Sequence, residues 1–162
     1  MTCRPILGID PGCSGALAFI FPGIEDRVAV EDTPVIAKAV APGALVEMIQ
    51  RFDPCHAYVE RVAANGGNGS IGNFSLGRAY GAVEAALCAL GVPWTAVESK
   101  DWKKPHRIVG GDLGKEQARL VAQRLFPLCS AQFVRVKDHG RADAALIALH
   151  GLSLRAERQS AA

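Results

Sequence analysis

Residues 6–23, Ile-Leu-Gly-Ile-Asp-Pro-Gly-Cys-Ser-Gly-Ala-Leu-Ala-Phe-Ile-Phe-Pro-Gly, read as two strands joined and closed by turns. Ile6 to Asp10 is a short apolar run stopped by Pro11-Gly12, and Gly15 to Phe21 is a second run closed by Pro22-Gly23. Proline cannot donate to a sheet ladder and glycine tolerates tight turns, so such pairs punctuate strands. Arg27 to Asp32 alternates like a third, partly exposed strand, and the three predict an antiparallel meander.

Working outward, Pro42 opens a helical pattern with Leu45, Val46 and Ile49 on one face, and Ala57 to Glu60 reads as a fourth strand. A Gly/Asn-rich loop from Ala64 to Gly72 precedes an apolar helix from Asn73 to Leu90, ended by Gly91. Trp94 to Val97 is a fifth strand. A basic connector then leads to a helix from Leu113 to Leu125 and a last helix from Gly140 to Leu152. The order β-β-β-α-β-α-β-α-α predicts an α/β fold, a mixed five-stranded sheet flanked by helices. We expect one domain over residues 1–154 and a flexible C-terminal tail over 155–162.

The chain has 162 residues, 49% hydrophobic and 21% charged, which suits a single globular domain. Its longest apolar-rich stretch, Ala82 to Val92, contains Glu84 and is too short to span a bilayer. Met1-Thr2-Cys3-Arg4-Pro5 runs straight into the first strand, with no apolar segment of signal-peptide length. These features predict a cytoplasmic protein without a membrane partner. Cys3, Cys13, Cys55, Cys88 and Cys129 are scattered, with no C-x-x-C pair, which argues against zinc or a disulfide framework and favours a reducing compartment. Residues 1–81 hold 6 Lys/Arg against 8 Asp/Glu, whereas residues 82–162 hold 12 against 8, so positive charge gathers where a polyanion would bind.

Three segments carry chemistry. Asp10 ends an apolar strand and is followed by Pro11, Gly12 and Gly15; either it caps the hairpin or its carboxylate projects into open space at the sheet end. Glu60 ends another apolar strand, where a charge is costly to desolvate unless paired, by Arg61 or Arg78, or bound to a cation. Lys137-Asp138-His139-Gly140-Arg141-Ala142-Asp143 enters the last helix. Asp138 there is either an N-cap or a ligand, His139 a surface residue or a site residue, and Asp143 sits among Ala144, Leu146 and Ile147. Hard dications prefer carboxylate oxygens, and a two-ion site for phosphoryl transfer needs three or four of them.

Gly8-Ile9-Asp10-Pro11-Gly12, Val59-Glu60 and Asp138 to Ala145 together resemble the successive signature segments of the RuvC-like Holliday junction resolvases, closest to their bacteriophage and chloroplast branch. The similarity runs from Ile6 to Leu149 through Ser75-Leu76-Gly77, Trp102-Lys103-Lys104 and Leu125-Phe126-Pro127. It implies an RNase H-like fold, a homodimer, two Mg2+ ions per site with Mn2+ as a substitute, and hydrolytic nicking of four-way DNA junctions. Carried across, Asp10 is the central acid, Glu60 the strand acid and Asp143 the final-helix ligand. The bacterial pattern has a further acid one turn before the last, where this chain has Gly140, so Asp138 is taken as fourth ligand with His139 in reserve.

Lys100, Lys103, Lys104, His106 and Arg107 surround Trp102, with Lys115 further on. This cluster is expected to hold DNA phosphates, Trp102 either stacking on DNA or anchoring in the core. Asn65 to Ser70 follow a predicted catalytic acid, so Asn68 and Ser70 are expected to face DNA, and Phe74 either wedges into a junction or packs. Small residues Ala79, Gly81, Ala82, Ala85 and Ala86 suit a dimer helix. The competing readings are an actin-like or sugar-kinase-like nucleotide module, a nuclease acting on RNA or flaps, and a binding protein without chemistry. The first needs a longer chain, and no G-x-x-x-x-G-K-[S/T] is present, so no nucleotide cofactor is expected.

Overall fold

A computed structural model describes residues 4–64 and 66–160, with Gln159 described through its backbone alone. Cys3, Asn65 and the last two residues of the expected tail lie outside the described residues. Strands β1 (Ile6–Asp10), β2 (Ala16–Ile20) and β3 (Ala29–Asp32) form the antiparallel meander. Two short strands, β4 (Val35–Ile36) and β5 (Ala39–Val40), make a separate hairpin. Then come α1 (Pro42–Phe52), β6 (His56–Glu60), α2 (Gly69–Ala89) and β7 (Trp94–Val97). Helices α3 (Ser99–Lys103), α4 (Gly111–Leu125) and α5 (His139–Ser160) complete the chain. The main sheet has the order β3-β2-β1-β6-β7, with β6 parallel to both β1 and β7.

Side chains alternate across a sheet with a period of two, and this alternation divides the core. Leu7, Ile9, Leu17, Phe19, Ala57 and Val59 point to the face covered by α1 and α2, where Leu45, Ile49, Val83 and Leu87 close over them. Ile6, Ala16, Ala18, Ile20 and Tyr58 point to the other face and pack with Ala144, Leu146, Ile147 and Ala148 of α5. Asp10 and Glu60 share the parity of Ile6 and Tyr58, so both strand-end acids belong to the α5 face. They lie one step beyond the paired residues Ile9 and Val59.

Helix α5 lies unusually close to the sheet, and glycines make that possible. A Cβ on Gly8 would stand 2.3 Å from both the Ala144 carbonyl oxygen and the Ala148 nitrogen. A Cβ on Gly151 would stand 2.1 Å from the Tyr58 ring. The missing side chains let backbone meet backbone at one crossing and an aromatic ring at the other.

The structure departs from the sequence expectation in four places. The β4–β5 hairpin was not expected; Ala37 and Lys38 form its turn at φ 50 and 62, a left-handed geometry that sequences usually signal with Asn or Gly. Helix α2 begins at Gly69, after a 3-10 turn at Gly66–Asn68, so much of the expected Ala64–Gly72 loop is helical. Gly69 and Gly72 are poor helix formers and hid its first turn. The connector after β7 contains α3 and a 3-10 turn at Lys104–His106. Helix α5 runs on to Ser160 because Gly151 makes room for Tyr58 and Leu152 and Leu154 still pack on the core.

Candidate active site

The acid set is assembled by β1, β6 and α5. Asp10 closes β1, Glu60 closes β6, and Asp143 lies on the second turn of α5, above the ends of both strands. Gly140 makes this stacking possible: a Cβ there would stand 2.3 Å from the Ser14 carbonyl oxygen and 3.2 Å from Asp10 Oδ2. The place where the bacterial pattern has a further acid is therefore filled by the Asp10 turn itself.

The three carboxylates feel one another. Burial raises the Asp10 carboxyl well above the usual carboxylate range, the charges of Asp143 and Glu60 raise it further, and the Lys103 ammonium offsets part of this. Asp143 is raised from 3.8 to about 7, first by burial; Lys103 and Lys115 pull it down and Glu60 pushes it up. Among the described residues no three carboxylate, imidazole or thiol groups already converge in ion-binding geometry. The fit to a hard dication therefore rests on donor chemistry and charge: three mutually repelling, partly desolvated carboxylates favour binding of a cation.

A raised carboxyl pKa makes the folded state prefer the protonated form. Its stabilising contribution is full below the unfolded value near 3.8 and is lost as pH rises through about 7. In EDTA, Asp143→Asn is therefore expected to raise the melting temperature by several degrees at pH 8 and by clearly less at pH 5, where only the first part of the loss has occurred. Scanning calorimetry at the two pH values checks this; an equal shift at both would contradict the repulsion.

Asp138 does not join this cluster. It is 1% exposed, and its carboxylate is held in the fork of Arg135, which donates from Nη2 at 2.8 Å and Nε at 3.0 Å, while the Arg135 backbone N–H donates at 2.9 Å. Burial would raise its pKa, but these donors more than offset that and lower it. The expectation of Asp138 as fourth ligand is corrected: a carboxylate saturated by a guanidinium and a backbone amide serves as the cap of the turn before α5. Asp138→Asn is expected to lower stability by about 1–3 kcal/mol and leave the cleavage rate of the folded fraction within about twofold. A denaturation curve and a cleavage time course separate the two effects.

His139 is half-buried. Burial lowers its pKa, and Lys115 and Arg119 of α4 lower it further against the opposing Asp138 charge. It is therefore neutral at pH 7, with one ring nitrogen free of a proton.

The basic cluster divides. Lys103 is felt by both Asp10 and Asp143, and its Nζ lies 4.8 Å from the centre of the Trp102 ring. Lys115 is exposed, paired with Asp112 at 2.9 Å, and still within electrostatic reach of Asp143. Lys100 and Arg107 are exposed. Lys104 lines an open cleft of about 540 Å³ with Arg61, Glu98, Asp101 and His150. Trp102 is 1% exposed, which corrects its expected DNA contact: the ring belongs to the core, and its indole N–H donates to Glu60 Oε1 at 3.2 Å. Arg61 pairs with Glu98 at 3.1 Å, and the Arg78 guanidinium lies 5.8 Å from the Phe74 ring centre, so these contacts lead away from Glu60. Asn68, Ser70 and Phe74 are all exposed, Phe74 by 68%, on the turn and helix that follow Glu60.

Solved structures share this fold. Thermus thermophilus RuvC bound to a Holliday junction substrate superposes with a TM-score of 0.61 at 21% identity, over 91% of each chain. A second T. thermophilus RuvC structure gives 0.62 at 23% identity, over 90% of this chain and 92% of that one. The yeast mitochondrial Holliday junction resolvase gives 0.52 at 14% identity, over 92% and 78%. No protein-family model matches the sequence, and no curated protein matches it. The chain has an RNase H-like fold. Within that class its architecture is similar to the RuvC Holliday junction resolvases.

Proposed function

We propose that this chain is a metal-dependent endodeoxyribonuclease that resolves four-way DNA junctions by phosphodiester hydrolysis. The observation that carries the reading is the electrostatic coupling of Asp10 at the end of β1, Glu60 at the end of β6 and Asp143 on α5, with burial and this coupling holding Asp10 and Asp143 above the ordinary carboxylate range. These three would hold Mg2+ or Mn2+, in the two-ion arrangement implied by the resemblance. Such ions supply an activated water and neutralise the leaving oxygen.

The chain's own residues do the rest. Lys103 and Lys115 bring positive charge to the acid end, where a scissile phosphate would lie, and neutral His139 offers a ring nitrogen that can accept a hydrogen bond from water. Exposed Asn68, Ser70 and Phe74 flank the same strand end and suit contact with unstacked DNA. The outer face of α2, with Ile71 85% exposed and the small exposed residues Gly77, Gly81 and Ala85 along it, supports a homodimer that presents two sites to one junction. Among the described residues no helix is long and apolar enough to cross a membrane. An intracellular DNA substrate fits this reading.

The deciding experiment is cleavage of labelled four-way junction, flap and linear duplex, each with Mg2+ and with EDTA. Paired nicks in the junction alone, dependent on Mg2+, are expected. Equal cutting of flaps would replace junction resolution with broader branch cleavage, and tight junction binding without any cutting would leave a binding protein.

A further inference from the structure

Trp102 carries a role that neither its burial nor the basic character of its neighbourhood explains. We infer that Trp102 is a positioning residue of the acid site: its indole N–H fixes the Glu60 carboxylate while its ring face holds the Lys103 side chain toward Asp10 and Asp143. The inference rests on the nuclease reading above and goes beyond it by assigning a residue that touches neither phosphate nor solvent.

Four observations on the structure carry it. The indole N–H lies 3.2 Å from Glu60 Oε1. Indole is a donor only, so this contact can hold the carboxylate oxygen solely as an acceptor, and it takes one of roughly four lone-pair positions on that group. Trp102 is 1% exposed and belongs to the core cluster that also holds Val97, Ile108 and residues of α4 and α5, so burial restrains the donor from swinging away. Glu60, by contrast, ends a strand and precedes a segment without regular structure over residues 61–64, so its backbone alone leaves the carboxylate free to rotate. Finally, Lys103 lies over the same ring at 4.8 Å and is the cation felt by both Asp10 and Asp143. One rigid ring thereby sets an acid and a cation of the site at once.

Orienting partners behind metal-binding carboxylates typically change ion affinity by 10–100-fold when removed. Trp102→Phe keeps an aromatic ring in the core and removes the donor. In a Trp94→Phe background Trp102 is the sole tryptophan, and paramagnetic Mn2+ is expected to quench its fluorescence with the same midpoint as it supports cutting. For Trp102→Phe, calorimetric titration with Mn2+ is expected to show about tenfold weaker binding, junction affinity in EDTA is expected to be unchanged, and the melting temperature within a few degrees. Raising Mn2+ should restore cutting to near the original maximal rate, which a general packing defect would not permit.

If Trp102→Phe fails to fold, the sole-tryptophan protein decides: no saturable quenching on Mn2+ binding overturns the inference. Unchanged Mn2+ affinity in a folded Trp102→Phe also overturns it, with the nuclease reading intact if the parent protein cuts junctions. A parent protein that neither binds Mn2+ nor cuts would remove both.

Discussion

Asp10→Asn is expected to lower junction cleavage by about a thousandfold or more at saturating Mg2+, while junction affinity in EDTA stays within about twofold. An ion at such a site contributes several kcal/mol to the transition state, and each 1.36 kcal/mol is worth a factor of ten in rate. Asparagine matches aspartate in shape, so the Pro11–Gly12 turn and the contact with Gly140 are kept, while the anionic donor is lost. Because Asp10 is destabilised by burial and by its two acidic neighbours, the variant should also melt higher than the parent in EDTA. Gel-based cleavage, a junction-binding isotherm and a melting curve read the three effects. Normal cutting by Asp10→Asn would end the assignment of this site. The same electrostatics give a pH dependence: a dication must displace the proton of Asp143, so cleavage should rise from pH 6 and level off above about 7.

Gly8→Ala is expected to be the most damaging single-methyl change in the sheet. The added Cβ would lie 2.3 Å from Ala144 O and Ala148 N and 2.8 Å from Ala148 Cα, all of them backbone atoms of α5 that cannot rotate away. Overpacking of this kind costs about 3 kcal/mol or more, a fall of roughly 6–12 °C in a domain of this size. Relief requires α5 to move off the sheet and carries Asp143 away from Asp10, so the surviving folded protein should also bind Mn2+ poorly. Gly43→Ala on α1 is the control, since nothing lies within 4 Å of its Cβ position, and it should melt no lower than the parent. Melting curves of the two variants side by side test the claim, and equal stability would mean that α5 does not press on β1 as described.

Much of this architecture was legible in residue order. Short apolar runs ending in an acid and followed by turn or loop residues mark the strands that close on Asp10 and Glu60, and the parallel register of β1 and β6 then puts both acids on one face. Asp143 could be singled out because a carboxylate surrounded by Ala142, Ala144 and Leu146 has no reason to be there unless it faces a site. Helix ends were harder to read. Gly151 resembles a helix stop, yet it is a gap for the Tyr58 ring; Gly69 and Gly72 resemble a loop, yet they open α2.

Asp138 and Trp102 mark the boundary between the two kinds of information. By itself the sequence determined the meander, the strand-end positions of Asp10 and Glu60 and the out-of-place carboxylate of Asp143 on an apolar helix. Those properties depend on neighbours one to four residues away, and local periodicity encodes them. Only the tertiary structure decided that Arg135 saturates Asp138, that Trp102 is buried against Glu60 rather than exposed to DNA, and that the turn after Asp10 fills the space a side chain at Gly140 would need. Each of these depends on which donor or surface meets a group in three dimensions. For Trp102 and Glu60 that meeting spans 42 positions of chain, a separation over which no local pattern carries information.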